Sequence, residues 1–151
     1  MPTPLQTRVE MTQIVLPTHT NNHGTVFGGQ IMAWCDIAAA VAAQRFCGAP
    51  VVTASMDRLD FLHPVNRADI VVLTAIVNQA WGSSLEVGVR VVAESPVDHG
   101  VKHCCSAYLT FVALDGDKRP RRVPPLRPET DEERERAAAA DLRRAQRRAD
   151  R

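Results

Sequence analysis

The chain has 151 residues, 18 Lys and Arg against 17 Asp and Glu, and a formal net charge of +1. That length favours one domain with a real core, and a composition 45% hydrophobic and 23% charged excludes disordered and collagen-like chains. No run of about 18 apolar residues without charge occurs, which excludes a membrane-spanning helix, and the N-terminal M-P-T-P-L-Q-T-R lacks the charged-then-apolar order of a signal peptide, so a cytoplasmic location is expected.

Thr7 to Leu16 alternates polar and apolar residues and reads as a strand that Pro17 ends. A turn-prone loop follows, with Asn21, Asn22, His23 and Gly24 in it. From Gly29 to Phe46 the pattern is helical: Ile31, Met32, Trp34, Cys35 and Ile37 are followed by alanines and a valine up to Ala43. Apolar residues lie on nearly every side of that helix, so other structure should enclose it. Asp36 is its one acidic residue, two turns in, and a carboxylate among such neighbours must be paired, open to a cleft or functional. Gly48 fits a left-handed helix cap, and Pro50 blocks continuation. Val51 to Phe61 reads as the next strand, and L-H-P-V-N-R-A-D turns the chain.

Asp69 to Trp81 is a long strand, Gly82-Ser83-Ser84 a tight connection, and Leu85 to Glu94 the returning strand, with Leu85, Val87, Val89 and Val91 on one face of an antiparallel hairpin. Val101 to Leu114 makes the last strand. Pro120, Pro124, Pro125 and Pro128 then give an extended segment, and Thr130 caps a final helix with Glu133 completing a capping box. One strand, one buried helix and four strands in hairpin-like succession predict an α+β fold, a strongly curved antiparallel sheet wrapped around one long central helix. Residues 1-117 form the domain, and residues 118-151 a Pro/Arg-rich extension ending in a charged helix.

The charge is unevenly spread. From Lys118 onward there are twelve Lys and Arg against seven Asp and Glu, an excess of five, which leaves the body at −4. Nucleic-acid binding is disfavoured. Asp131, Glu132, Glu133 and Glu135 crowd the start of the last helix and Arg143, Arg144, Arg147 and Arg148 its end, the order the helix dipole prefers, and no aromatic residue is interleaved to stack on bases. A basic surface near a site for a phosphorylated ligand is compatible with the same pattern. Cys35, Cys47, Cys104 and Cys105 form no Cys-x-x-Cys pair and no metal-ligand spacing, so reduced core thiols are expected and a metal is not.

The segment Asn21 to Asp36 reads N-x-x-G-x-x-F-G-G-x-x-M-x-x-x-D, and this resembles the signature of the hotdog-fold acyl-CoA thioesterases, in the acyl-CoA hydrolase branch. Arg58 to Val65 is similar to that family's strand ending in an apolar-x-Pro turn, and Trp81 to Val87 to its Gly-x-Ser/Thr-Ser turn and following strand. The match runs from about Val9 to Leu114 and leaves out the Arg-rich tail. The resemblance implies the hotdog fold and hydrolysis of acyl-CoA to a free acid and coenzyme A without metal or redox cofactor. It also implies a homodimer whose two sheets join, with the Asn21 loop of one subunit facing Asp36 of the other, and further assembly to tetramers or hexamers.

The residues suit that chemistry. Free backbone N–H groups at a helix start, around Gly28 and Gly29, can polarise a thioester carbonyl, and glycine allows close approach. Asp36 is the candidate general base or nucleophile, and the sequence leaves both open; Asn21 would orient the water or the carbonyl. Arg58, Ser83 and Ser84 are candidates for holding coenzyme A from family position and charge, with His23 and Phe27 as nearby contacts. The alternative from another class is a non-catalytic acyl-CoA-binding or sensing module on the same scaffold. A hydratase is disfavoured, because the His nearest Asp36 in the loop, His23, lies thirteen residues before it.

Overall fold

The computed structural model describes all 151 residues. Strand β1 (Val9–Ile14) is followed by helix α1 (Gly28–Cys47), then β2 (Val51–Asp57), β3 (Ile70–Trp81), β4 (Ser84–Glu94), β5 (Val101–Ala113) and helix α2 (Asp131–Ala149). All strand pairs are antiparallel, in the order β1-β3-β4-β5-β2. The chain thus leaves β1 at one edge, crosses the inner face of the sheet as α1, and resumes as β2 at the opposite edge. This is the α+β arrangement expected from the element order.

Period-two alternation makes the inner face. Leu73, Ala75 and Val77 of β3, Leu85 and Val87 of β4, and Ala107 and Leu109 of β5 are each fully buried, and against them lie Cys35, Ala38, Ala39, Ala42 and Ala43 of α1. Four small alanines let the helix axis come close to a curved sheet, whereas larger side chains would hold it off. Gly48 closes α1 in the left-handed region at φ +61, with its N–H donating to the Gln44 carbonyl at 2.8 Å.

The enclosure of α1 within one chain is incomplete. Met32 and Ile37 are 43% and 53% exposed, and Val52, 46% exposed, lies on β2, whose outer side is unpaired. Other boundaries shift for local reasons. β1 is flanked by 3-10 turns at Pro4–Thr7 and Pro17–His19, and β2 ends at Asp57 because Arg58 takes φ +45 and turns the chain out of the sheet. A bulge opposite Val91 and Val92 inserts Cys104 as an extra residue, so Cys104 and Cys105 are both buried and do not alternate across the sheet.

The C-terminal extension folds back along the outer face. Val123 N–H donates to the Gly82 carbonyl and Arg127 N–H to that of Pro2, both at 2.8 Å. The capping box of Thr130 and Glu133 forms as expected, and the Glu133 carboxylate accepts three backbone N–H groups, from Leu5 (3.0 Å), Glu129 (2.9 Å) and Thr130 (3.1 Å). Helix α2 docks by charge more than by apolar contact. Arg143 grips the fully buried Glu86 of β4 through two hydrogen bonds (2.9 and 2.7 Å) and lies 3.6 Å above the Tyr108 ring; Asp141 accepts from Trp81 Nε1 (2.8 Å), and Arg147 pairs with Asp57 at the end of β2. No helix is long and apolar enough to cross a membrane.

Candidate active site

The start of α1 is built without a side-chain cap. Phe27, in extended conformation, stands at the N-cap and offers no polar atom, and the N–H groups of Gly28 and Gly29 find no acceptor in the chain. Two free donors therefore point out of the helix with the positive end of its dipole behind them. Both glycines are tightly placed. A Cβ on Gly28 would lie 3.4 Å from the Phe61 ring, and one on Gly29 only 2.9 Å from Phe27 Cε2. A cavity of about 200 Å³ opens here, lined by Thr25, Val26, Gly28, Phe61, His63 and Pro64. The Asn21 loop and the Phe61–Val65 turn, read separately in the sequence, thus meet at one helix end.

The Asn21 loop is held by its own side chains. Asn21 Oδ1 accepts from His23 N–H (2.8 Å) and Thr25 N–H (3.3 Å), while Nδ2 donates to Thr25 Oγ1 (2.9 Å). His23 is exposed and touches Asn21 through its backbone. Two turns into α1, half-buried Asp36 accepts a hydrogen bond at 2.7 Å from the Thr53 hydroxyl on the edge strand β2. Within one chain no hydrogen bond joins Asp36 to the Asn21 loop; each is held by its own local partners.

Thr53 was not legible as a partner of Asp36 in the sequence. The only signal is one hydroxyl in the β-branched run Val51-Val52-Thr53, whose alternation puts Thr53 on the same face as Val51, toward α1. Ser83 lies in the two-residue turn Gly82-Ser83 between β3 and β4, and Ser84 opens β4. There the Ser84 hydroxyl donates to the Trp81 carbonyl (3.4 Å) and the Ser83 carbonyl accepts Ala113 N–H (3.0 Å), with no bond to Asp36 or to the start of α1. Arg58 is exposed and pairs with Asp60 at 3.1 Å. His19 caps the neighbouring turn through Nδ1 and meets Trp34 edge-on at 5.0 Å, so that Trp is core.

The four cysteines are free and buried. A hydrogen bond to Cys105, together with burial, pushes the Cys35 thiol well above the ordinary thiol range, and burial pushes Cys47 and Cys104 up to about 11. The thiol next to Asp36 is thus protonated and is no nucleophile at neutral pH. No group of three or more His, Cys, Asp and Glu side chains is arranged to hold a metal ion. What the site offers is a carboxylate held by a hydroxyl, two unpaired backbone donors and an apolar-walled cleft, a set suited to attack on a carbonyl carbon.

Comparison with known proteins bears on these parts directly. Residues 23–98 match the family model described as the thioesterase superfamily. The chain is 42% identical over 128 residues to an uncharacterized acyl-CoA thioester hydrolase of Bacillus subtilis, covering 85% of this chain and 74% of that protein. It is 42% identical over 139 residues to acyl-coenzyme A thioesterase 11 of Mus musculus, where 91% of this chain spans only 23% of the mouse protein. Among solved structures, an acyl-CoA hydrolase from Bacillus cereus superposes with a TM-score of 0.94 at 39% identity, covering 98% of this chain and 90% of that one. The acyl-CoA hydrolase of Staphylococcus aureus, solved with butyryl coenzyme A and coenzyme A, gives 0.90 at 38% identity over 97% and 90%. Further structures of that hydrolase have an Asp, an Asn or a Thr replaced by Ala. A hexameric acyl-CoA thioesterase gives 0.93 at 33% identity over 97% and 94%.

Proposed function

The chain belongs to the thioesterase superfamily, with the hotdog fold of its acyl-CoA hydrolases, and from that premise we propose that it hydrolyses acyl-coenzyme A to a free acid and coenzyme A. The observation that carries the reading is the Thr53-to-Asp36 hydrogen bond of 2.7 Å, on a helix whose start leaves two backbone N–H groups unpaired. The Asn, Asp and Thr replaced in the Staphylococcus aureus hydrolase are spaced in sequence as Asn21, Asp36 and Thr53 are here.

The steps follow from the groups. Gly28 and Gly29 N–H polarise the thioester carbonyl and hold the oxyanion that forms, an interaction that strengthens as charge develops. Asp36 takes a proton from water, or attacks the carbonyl carbon itself; Thr53, by donating to one carboxylate oxygen, leaves the other free for that work. The thiolate of coenzyme A departs as a good leaving group, so the site needs no strong general acid, and no cofactor beyond the coenzyme A that the substrate carries. Asn21 orients the water or the carbonyl from the partner protomer. Dimerisation through the free edge of β2 and the exposed Met32 and Ile37 would bring the Asn21 loop of one protomer to Asp36 of the other, and the hexameric relative makes assembly beyond a dimer the natural extension. Arg58, Ser83, Ser84, His23 and Phe27 would contact the coenzyme A or acyl chain from neighbouring protomers. Four unpaired buried thiols fit a reducing, cytoplasmic location.

The test is free-thiol release from a panel of acyl-CoAs, acetyl through palmitoyl and including benzoyl, run beside Asp36→Ala. Turnover on at least one thioester that vanishes in the folded variant is expected; acyl-CoA binding with no turnover on any would instead identify a sensing module.

A further inference from the structure

The Asn21 side chain has most of its hydrogen-bonding capacity taken within its own loop. A carboxamide offers an oxygen with two lone pairs and a nitrogen with two hydrogens. Here Oδ1 accepts from the backbone N–H groups of His23 (2.8 Å) and Thr25 (3.3 Å), which fill both lone pairs. Those two donors also fix which end of the amide is which, because an NH2 group turned toward them would set hydrogen against hydrogen. Nδ2 donates one hydrogen to Thr25 Oγ1 at 2.9 Å. The other Nδ2 hydrogen has no acceptor in the chain, and Asn21 is exposed.

Thr25 makes this arrangement. The segment Asn21-Asn22-His23-Gly24-Thr25 closes on itself: Gly24 turns the chain at φ +79, in the left-handed region, and Asn21 N–H then donates to the Thr25 carbonyl at 2.8 Å. That brings the Thr25 hydroxyl to both ends of the Asn21 amide, 2.9 Å from Nδ2 and 3.2 Å from Oδ1. The loop is tied on its other side as well. The Gly24 carbonyl accepts from Arg67 N–H at 3.0 Å and the Val65 carbonyl from Val26 N–H at 2.8 Å, which pins its backbone to the turn that follows Phe61. Thr25 is half-buried and lines the same cavity of about 200 Å³ as Gly28.

We propose that Thr25 is a positioning residue that fixes the Asn21 carboxamide as a donor, so that its remaining Nδ2 hydrogen meets the carbonyl oxygen of the thioester and not the attacking water. An N–H aimed at that water would occupy a lone pair the water needs for attack. The same N–H aimed at the carbonyl adds to the donors that hold the oxyanion. Resting on the hydrolase reading above, this narrows Asn21 from two roles to one.

The experiment is steady-state hydrolysis of the acyl-CoA that wild type turns over best, for Thr25→Val, Thr25→Ser, Asn21→Asp and Asn21→Ala. Valine keeps the shape of threonine without the hydroxyl and suits the extended backbone here, where Thr25 bridges to Asn66; circular dichroism checks that each variant folds. Thr25→Val should lower kcat about 2- to 10-fold with KM nearly unchanged, the worth of one neutral hydrogen bond held to a group that acts in the transition state. Thr25→Ser, which keeps the hydroxyl, should recover it. Asn21→Asp keeps an acceptor for both backbone N–H groups but loses the donor, so it should be about as slow as Asn21→Ala. Wild-type kcat in Thr25→Val beside an inactive Asn21→Ala, or equal losses in Thr25→Val and Thr25→Ser, would overturn the positioning role. A working Asn21→Asp would overturn the donor. Full activity in Asn21→Ala, or no turnover of any acyl-CoA by wild type, would defeat the hydrolase reading itself and the proposal with it.

Discussion

Asp36 is a carboxylate set in an apolar helix with one hydroxyl partner, and that single contact divides the work of the site. Removing the carboxylate in Asp36→Ala should leave folding intact and lower turnover by about 100-fold or more, the range of a lost general base. Asp36→Asn, which keeps the shape and the Thr53 contact, separates charge from geometry and should be nearly as inactive. Thr53→Val should keep the fold and lose less, about 10- to 100-fold in kcat with a small change in KM, because a hydrogen bond to a charged group is worth about 1.5 to 3 kcal/mol. A Thr53→Val enzyme with wild-type kcat would remove Thr53 from the mechanism. Asp36 stood out in the sequence because a lone acid among Trp34, Cys35 and Ile37 is costly unless used. Thr53 did not, since its place beside Asp36, seventeen residues away, is created only when β2 packs along α1.

At the scale of elements, α1 was legible from a long alanine-rich apolar run closed by Gly48 and Pro50, and the β3–β4 hairpin from alternating valines about a short turn. The docking of α2 was not. Its charge order shows a solvated helix, yet that same helix buries Glu86 under Arg143, a contact 57 residues apart in sequence that only the tertiary fold creates. Removing one partner of a buried pair is far worse than removing both, so Arg143→Met should destabilise the protein by about 3 to 5 kcal/mol, and the double change Arg143→Met with Glu86→Leu by much less. Thermal denaturation of the two variants reads this, and equal losses would show that the pair is not coupled. The N-terminal end of α2 is held differently. Backbone N–H groups of Glu129, Thr130 and Leu5, with Arg136 nearby, hold the Glu133 carboxyl below its ordinary value of 4.5. Its contribution is complete above that value and is lost as pH falls through the lower folded-state value. Wild type should therefore lose stability on acidification below about pH 4.5 more steeply than Glu133→Gln, measured by urea midpoints across that range. Parallel curves would place the acid lability elsewhere.

Taken whole, the molecule is unfinished as one chain. An edge strand with free backbone groups invites pairing; β2 is such an edge, and Met32 and Ile37 stand exposed on the helix that carries Asp36. Ile37→Asp should give a protomer of half the dimer mass in light scattering, with hydrolysis lost although Asp36 is untouched; a dimer of unchanged mass would move the interface to another face. Apart from the homodimer that the family resemblance implied, the residues carried one sign of this, a helix apolar on nearly every side, since one chain cannot show which face its copy will cover.

The most direct test of a site shared between protomers is complementation. Asn21→Ala and Asp36→Ala, each inactive alone, would be unfolded together and refolded as a mixture, and acyl-CoA hydrolysis measured. In a two-fold dimer, half of the refolded molecules are mixed and each mixed dimer holds one intact site, so activity should return to about a quarter of wild type. Activity that stays at the level of the two parents would mean that Asn21 and Asp36 act within one chain, or not together, and would contradict the account.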